Sequence, residues 1–210
     1  DLAYLGQPNV DIVSDGSVFR VGELEVAVVH TPGHTPHHIS FAVSGDESTG
    51  DGLPGMVFTG GSLLYGTVGR PDLVSPESTT QQAHDQWHSA HKLVDRLDGR
   101  TRIYPTHGFG SFCSSIQATG TESSLEQERQ TNPALTQTES DFVDMLVAGL
   151  DVFPAYYAFM GPANAAGPAG VDLSAPEPAE AAELRRRIEA GEWVVDLRSR
   201  AVFMPAHVPG

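Results

Sequence analysis

Four histidines lie within nine residues of the sequence, in the segment 30–38 (HTPGHTPHH). The segment directly follows a strand-like run, and Pro32, Gly33 and Pro36 exclude a helix there. Such a loop can direct one or two imidazoles into a site beyond the end of the strand, and imidazole is a common ligand of metal ions. The alternative is a surface loop with solvated histidines, because short histidine clusters also occur without a metal.

A second group of histidines, His84, His88 and His91, has spacings of four and three that place all three rings on one face of a helix. Its first part reads His-Asp-x-x-His. The metalloprotease pattern has glutamate as its general base, and aspartate is one methylene shorter. The group also lies beside the apolar stripe of the same helix, so we expect an exposed polar face and no catalytic metal site.

His107 is the third candidate and lies in 104–108 (YPTHG), at the end of a short strand-like run. A single histidine is more often structural than a ligand. Metal sites in α/β sandwiches, however, collect ligands from strand-end loops that are distant in sequence. His107 is therefore a candidate partner for the histidines of segment 30–38.

The elements that must position these residues are predicted from hydrophobic periodicity. Alternating apolar and polar residues predict a meander of short strands over 17–43, and short apolar runs predict further strands at 55–59 and 102–104. Helical spacing predicts helices at 77–97 and 139–150, the second with a capping box. The apolar stripe of the first helix consists of Ala83, Trp87, Ala90, Val94 and Leu97.

The C-terminal part of the chain has a different composition. The uncharged stretch 152–171 contains three prolines and three glycines, so we expect a loop there and no membrane span. A linker rich in Gly, Ala and Pro is followed by a charged helix at 179–190 that ends at Gly191. The run 193–197 (WVVDL) then predicts a buried strand.

Composition limits the classes of function. The 210 residues carry 12 Lys plus Arg against 27 Asp plus Glu, a formal net charge of −15. This charge repels phosphate backbones and anionic membrane surfaces, so we expect neither a nucleic-acid nor a membrane partner. The single cysteine, Cys113, cannot form a disulfide within the chain, which argues against a secreted disulfide scaffold and favours the cytoplasm.

Several segments, taken in order, resemble motifs of the metallo-β-lactamase superfamily, and their order makes the match more specific than any single one. The resemblance covers about 18–167 and implies an α/β fold, the αβ/βα sandwich of that superfamily. Two of the segments are similar to the branch that contains persulfide dioxygenases and glyoxalase II. The segments are 30–36 (HTPGHTP), 58–60 (FTG), 68–73 (VGRPDL, of the branch), 104–108 (YPTHG) and 132–135 (NPAL, of the branch).

The end of the sequence resembles the opening of a rhodanese domain, in 194–198 (VVDLR) and 207–210 (HVPG). Fusions of the two modules are familiar. The resemblances imply a metallo-β-lactamase-like domain at 1–165, a linker at 166–178 and a rhodanese-like fragment at 179–210. The H-x-H-x-D-H loop of the superfamily does not occur in these residues, so we expect the first module to lack its N-terminal part.

The resemblance implies that His34 and His107 are metal ligands and that the metal is iron or zinc. The carboxylate ligand of the branch should follow 58–60, where this sequence has Gly61. Three explanations for Gly61 stay open. A water or a remote carboxylate replaces the ligand, the metal is bound in a different way, or the site has lost its metal. If the site lacks only this ligand, Gly61→Asp is expected to raise iron occupancy.

Arg70 matches the position at which the branch binds an anionic substrate, and the alternative is a structural ion pair with Asp72. The function implied is a metalloenzyme of sulfur and thiol metabolism, either a sulfur dioxygenase or a metal-dependent hydrolase. Its substrate would be a small thiol or thioester such as a glutathione derivative. The alternative is a metal-poor, inactive binding or scaffolding member of the same fold.

Overall fold

The computed structural model describes residues 8, 10–45, 55–107, 114, 120–152, 155–167, 170–171, 173–175 and 177–208. Several residues of the segments named above lie outside this part of the chain, among them Gly108, Cys113, Pro209 and Gly210. Five strands of the described residues form one mixed sheet in the order of the sequence. The strands are β1 (Val18–Val21), β2 (Leu24–His30), β3 (Ile39–Ser44), β4 (Met56–Gly60) and β5 (Arg102–Pro105). β1 to β3 confirm the strands expected from alternation, and β4 and β5 confirm those expected from short apolar runs.

The sheet topology brings the candidate loops to one edge. Neighbouring strands are antiparallel from β1 to β4, whereas β4 and β5 are parallel. The C-terminal ends of β2, β4 and β5 therefore point the same way. The loops that follow these three ends carry His34, Gly61 and His107, so the topology alone places the three positions close together.

Four helices cover one face of the sheet: α1 (Thr79–Arg96), α2 (Leu125–Thr131), α3 (Pro133–Thr136) and α4 (Glu139–Ala148). A 3₁₀ turn at Pro76–Ser78 precedes α1. The predicted stripe of α1 is confirmed, because its members pack in or against the core between helices and sheet. Of the capping box expected for α4, the N-cap is confirmed, since Thr138 Oγ1 accepts a hydrogen bond from the Asp141 backbone N–H at 3.3 Å. Core side chains include Val29, Val57, Leu93, Ile103 and Phe142.

The stretch 152–171 contains a helix, α5 (Tyr157–Ala166), where the sequence had predicted only a loop. Pro162 lies inside this helix and removes one backbone donor. The surrounding Ala, Tyr, Phe and Met residues still sustain ten helical residues, and Gly167 ends them with a φ of 77°. In the part of the chain that the structure describes, no helix is long and apolar enough to cross a membrane.

The chain divides into two compact units, Asp1–Gly167 and Pro168–Gly210. In the second unit, α6 (Ala181–Glu189) confirms the predicted charged helix, and α7 (Arg200–Phe203) follows it. The predicted buried strand at 193–197 is wrong. This run is irregular, and Trp193 and Leu197 are 93% and 91% exposed. An apolar run becomes a buried strand only where a partner strand pairs with it, and none of the described residues provides one.

Candidate functional site

The imidazoles of His34 and His107 come together at the edge of the sheet where β2 and β5 end. Their ring centroids are 5.3 Å apart and their planes are inclined by 72°. The ring of His38 lies 6.2 Å from that of His34. The two histidines that the sequence assigned as ligands are therefore neighbours, and a third histidine of segment 30–38 joins them.

Side chains of helix α1 form hydrogen bonds with the backbone of the loop 30–38. Ser89 Oγ donates a hydrogen bond to the Pro32 carbonyl at 2.6 Å, and Lys92 Nζ donates to the His30 carbonyl at 2.7 Å. The backbone N–H of His30 donates to the Asp15 carboxylate at 2.8 Å, which holds the pKa of Asp15 below its usual value. These bonds fix the loop at its start and so help to position His34 and His38.

His34 is buried, and only 7% of the residue is exposed. Its Nδ1 lies 2.9 Å from the carbonyl oxygen of Arg70, which can only accept, so Nδ1 carries the proton. Burial lowers the pKa of His34 and thereby keeps the ring neutral. A neutral ring with a protonated Nδ1 has its lone pair on Nε2. Metal-binding histidines are commonly oriented in this way, by a hydrogen bond from the second nitrogen.

His38 uses both ring nitrogens within the protein. The backbone N–H of Gly61 donates to Nε2 at 3.1 Å, so Nδ1 carries the proton and donates to Thr31 Oγ1 at 3.0 Å. Thr31 in turn lies 2.9 Å from Ser40 Oγ. Burial lowers the pKa of His38 to about 4. His38 therefore connects the loops after β2 and β4, and it has no free lone pair for a ligand.

Arg70 lies in the loop between β4 and α1, and its guanidinium is used inside the protein. It pairs with Asp72 through two bonds, at 2.7 and 2.8 Å, and donates to the Asp151 carbonyl at 2.6 Å. The side chains of Arg70 and Asp72 are only 4% and 14% exposed. The ion pair with Asp72 is therefore present, and substrate binding by Arg70 stays a prediction. It is the backbone carbonyl of Arg70 that contacts the candidate site.

The histidines of α1 do not join this cluster. His84 Nδ1 and His88 Nε2 lie 2.8 and 3.0 Å from the same carboxylate oxygen of Glu139, with side chains that are 39% and 60% exposed. His91 stacks on Trp87 with ring centroids 3.7 Å apart. The expected exposed polar face is therefore present for His84 and His88, where it connects α1 to the start of α4.

Sequence reasoning missed a buried network that supports the loop of Arg70. Asn132 Nδ2 donates to the Thr67 carbonyl at 2.9 Å and to Glu128 Oε2 at 2.8 Å, and the Gly66 N–H donates to the same carboxylate oxygen at 2.9 Å. Asn132 and Glu128 are 0% and 1% exposed. The segment 132–135 was noticed only as part of the resemblance. Its physical role is to hold the loop whose carbonyl orients His34.

Two histidines of this site fit a metal ion, whereas one position does not. The neutral, oriented Nε2 of His34 and the adjacent ring of His107 fit a metal that prefers nitrogen ligands. Position 61 does not fit, since glycine offers no side-chain ligand atom. Within the described ranges, no group of three or more His, Cys, Asp or Glu side chains has an arrangement that could hold a metal ion.

Comparison with known proteins begins with sequence relatives. No family model matches the chain. Human mitochondrial persulfide dioxygenase ETHE1 is 32% identical over 134 residues, which is 64% of this chain and 44% of the relative. A hydroxyacylglutathione hydrolase of Idiomarina loihiensis is 35% identical over 97 residues, which is 46% of this chain and 31% of the relative. The chain thus spans less than half the length of these two relatives.

Solved structures decide the fold. A metallo-β-lactamase of Staphylococcus aureus matches with a TM-score of 0.70 and 29% identity, covering 94% of this chain and 54% of that one. ETHE1 of Myxococcus xanthus matches with a TM-score of 0.57 and 28% identity, covering 73% of this chain and 59% of that one. The chain has the metallo-β-lactamase fold. The described residues show a mixed α/β part of that fold, which consists of the sheet and the helices α1 to α4.

The metallo-β-lactamase fold confirms the first resemblance found in the sequence, and the relatives include both enzymes of the predicted branch type. The Staphylococcus aureus match covers more of the chain than the first unit contains, so it extends into the second unit. These relatives give no support to a rhodanese-like fusion. The boundaries at 165 and 178 and the rhodanese-like assignment therefore stay predictions.

Proposed function

We propose that this chain belongs to a metalloenzyme of sulfur and thiol metabolism, of the persulfide dioxygenase or glutathione thioester hydrolase type. The observation that carries the proposal is the meeting of His34 and His107 at one sheet edge, with ring centroids 5.3 Å apart. The proposed substrate is a small thiol or thioester such as a glutathione derivative. The names of two relatives, a persulfide dioxygenase and a hydroxyacylglutathione hydrolase, support this substrate class.

In this proposal, His34 and His107 hold iron or zinc, which when bound activates oxygen or water for reaction with the substrate. His34 is presented in one tautomer, because the Arg70 carbonyl accepts its Nδ1 proton. Burial lowers the pKa values of both histidines, so both rings are neutral and offer a lone pair at neutral pH. His38 accepts a hydrogen bond from the Gly61 N–H and so holds the loop that contains Gly61 beside His34.

Gly61 supports a second candidate function, a metal-poor binding or scaffolding protein of the same fold. A site that lacks its carboxylate loses a ligand and a negative charge that would balance the charge of the metal. Imidazoles alone then have to hold the ion. In this alternative, the pocket at the sheet edge binds a thiol compound without converting it.

We also propose that the second unit is the opening of a rhodanese-like domain that follows a linker at 166–178. The proposal is supported by the helix α6 and by the contacts of Arg198. Its guanidinium pairs with Asp196 and also donates a hydrogen bond to the Ala206 carbonyl, so it connects the segment 194–198 to the residues that follow α7. The cytoplasmic location suggested by the cysteine content belongs to the same set of proposals.

The metal content of the complete protein tests the proposed function. The protein is purified from medium containing both iron and zinc, and its metals are measured by mass spectrometry beside the variants His34→Ala and His37→Ala. His37 is an exposed histidine of the same loop and serves as the matched control. We expect stoichiometric iron or zinc in the wild type and in His37→Ala, and loss of most of it in His34→Ala.

Activity is measured on the same preparations as persulfide-dependent oxygen uptake and as glutathione thioester hydrolysis. One of the two activities should be present in the wild type and lost with the metal in His34→Ala. A wild-type protein with neither metal nor activity would overturn the metalloenzyme proposal and support the binding alternative. Equal metal loss in both histidine variants would show that the assignment of His34 is wrong.

A further inference from the structure

Helix α1 has a buried polar face beside its apolar stripe. Gln82, Gln86 and Ser89 are spaced by four and three residues, so they share one face of the helix. They are 3%, 0% and 1% exposed. Glutamine is mostly an exposed residue in folded proteins, because burial of its amide costs free energy unless the amide is hydrogen-bonded. A specific contact is therefore expected for the fully buried Gln86.

Gln86 holds the loop that follows β4. Its Nε2 donates a hydrogen bond to the Ser62 carbonyl. A carbonyl oxygen can only accept, so it is the amide nitrogen that faces Ser62. On the other side of Gly61, the Gly60 carbonyl accepts a hydrogen bond from the Thr106 N–H at 3.0 Å. The loop is therefore bonded to α1 after Gly61 and to the residue that follows β5 before it.

The same position of the helix also meets the loop that follows β2. A Cβ atom at Gly33 would lie 2.5 Å from Cα and 2.6 Å from the backbone nitrogen of Gln86. Atoms that are not bonded repel strongly at these separations, so the loop reaches the helix backbone because residue 33 has no side chain. Gly33 precedes His34 directly, as Ser62 follows Gly61. Gln86 thus contacts both loops one residue away from two positions of the candidate site.

Packing alone does not explain a glutamine at this position. Gln86 Oε1 and Ser62 Oγ have no hydrogen-bond partner in the part of the chain that the structure describes. A buried polar atom without a partner lowers stability. Methionine is unbranched like glutamine, adapts to irregular gaps and lacks that oxygen. It would fill the same space, and what it would lose is the hydrogen bond to Ser62.

We infer that Gln86 is a positioning residue that couples the loop after β2 to the loop after β4, and thereby sets the place of His34 relative to His107. The coupling runs from Gly33, on the backbone of α1, through the amide of Gln86 to Ser62. The inference concerns the backbone of the two loops and holds with or without a bound metal. It therefore goes beyond the proposed function and does not depend on it.

The first experiment compares Gln86→Met with Gln81→Met in the complete protein. Gln81 lies on the exposed surface of the same helix and is the matched control. Both variants should keep the Tm within about 4 °C of the wild type, because Gln86→Met removes one hydrogen bond and also the buried amide oxygen. Gln86→Leu is prepared beside them as a second apolar variant.

Hydrogen exchange of backbone amides measures the hold on the loop directly. The N–H of Leu93, in the core part of α1, serves as the reference for global unfolding. Relative to it, the N–H groups of Gly61 and Thr106 should exchange about 3–10-fold faster in Gln86→Met than in the wild type, the factor that corresponds to one net hydrogen bond. Gln81→Met should leave these ratios unchanged. A merely destabilised protein would speed up Leu93 at least as much.

The imidazole signals of His34 and His107 in ¹⁵N NMR report the place of the two rings. They are assigned by their absence in His34→Ala and His107→Ala. Both sets of signals should shift in Gln86→Met, because the two loops are no longer held against the same helix position. The signals of His84 and His88, which do not contact these loops, should stay in place.

Gly33→Ala tests the second contact of Gln86. Gly33 and Gly16 have φ angles of 138° and 81°, so alanine strains the backbone at both positions. No atom lies within 4 Å of the Cβ position of Gly16, which makes Gly16→Ala the matched control. Gly33→Ala should speed up exchange of the Thr106 N–H, whereas Gly16→Ala should not. In the Gln86→Met background, Gly33→Ala should add little, because the connection to Ser62 is already broken.

Three results would overturn the inference. They are unchanged exchange ratios in Gln86→Met, unmoved signals of His34 and His107 in that variant, and additive effects of Gly33→Ala and Gln86→Met on the exchange of Thr106. If Gln86→Met does not fold, the same measurements on Gln86→Leu decide. Failure of both variants to fold would show that Gln86 is needed for the fold as a whole and that the positioning role is wrong.

Discussion

His38 connects two loops of the candidate site through both of its ring nitrogens. One nitrogen accepts from the Gly61 N–H, and the other donates to Thr31, which continues to Ser40. The low pKa of His38, about 4, follows mainly from burial and keeps the ring in the neutral form that this pattern needs. Although His38 lies beside the candidate ligands, its hydrogen bonds make it a support of the Gly61 loop next to His34.

His38→Ala should therefore destabilise the protein, because the Gly61 N–H loses its acceptor and the Thr31 hydroxyl loses its donor. A buried polar group left without a partner costs about 1–3 kcal/mol. The free energy of unfolding in urea measures this loss. His37→Ala is the control, since His37 is exposed and its removal should change stability by less than about 0.5 kcal/mol. Equal losses in the two variants would contradict the supporting role of His38.

At the scale of elements, helices α2 and α3 hold the loop between β4 and α1. Asn132 caps α3 by accepting from the Ala134 N–H at 3.1 Å, and its amide donates to the Thr67 carbonyl. Glu128 receives bonds from Asn132 and from the Gly66 N–H. The helix junction and the loop are therefore connected by one buried polar network, and a disturbance of either should reach the Arg70 carbonyl that orients His34.

Asn132→Ala should lower the free energy of unfolding by about 2–4 kcal/mol, because it removes a helix cap and leaves buried groups of the network without a partner. Asn164→Ala, on the exposed surface of α5, is the matched control and should change stability little. Equilibrium urea unfolding measures both variants. The ¹⁵N NMR signals of the His34 imidazole, assigned by their absence in His34→Ala, should shift in Asn132→Ala but not in Asn164→Ala. A stable Asn132→Ala protein would show that the loop is held by other contacts.

The elements that the sequence predicted are those whose signal is local. The stripe of α1, the cap of α4 and the alternation of β2 each lie within one element, and all three are present. The run 193–197 was misjudged because a buried strand depends on a partner that periodicity cannot specify. The helix α5 was missed because prolines and glycines outweighed its helix-forming residues.

The site shows the same limit. The meeting of His34 and His107 was expected from a resemblance, and the topology of the sheet explains it. The close approach of Gly61 and Gly69 to the ring of His34 could not be foreseen, because it depends on where one ring lies relative to two backbone segments.

At the scale of the whole molecule, the two units differ in how they bury apolar side chains. In the first unit, Trp87 packs against the core, and its indole N–H donates to the Gln137 carbonyl at 3.3 Å. In the second unit, Trp193 is 93% exposed. Stability contributed by burial follows the apolar area removed from water. Trp87 should therefore contribute to folding of the first unit, whereas Trp193 should contribute little to the second.

These two residues are the only tryptophans of the sequence, so fluorescence can examine each unit separately. In Trp87→Phe, the remaining indole should emit at the wavelength of an exposed tryptophan and be quenched readily by acrylamide. In Trp193→Phe, the emission should shift to the blue and quenching should weaken severalfold. The Tm should fall in Trp87→Phe and stay unchanged in Trp193→Phe. Protection of Trp193 in the complete protein would mean that this indole is covered there, as expected for a buried strand at 193–197.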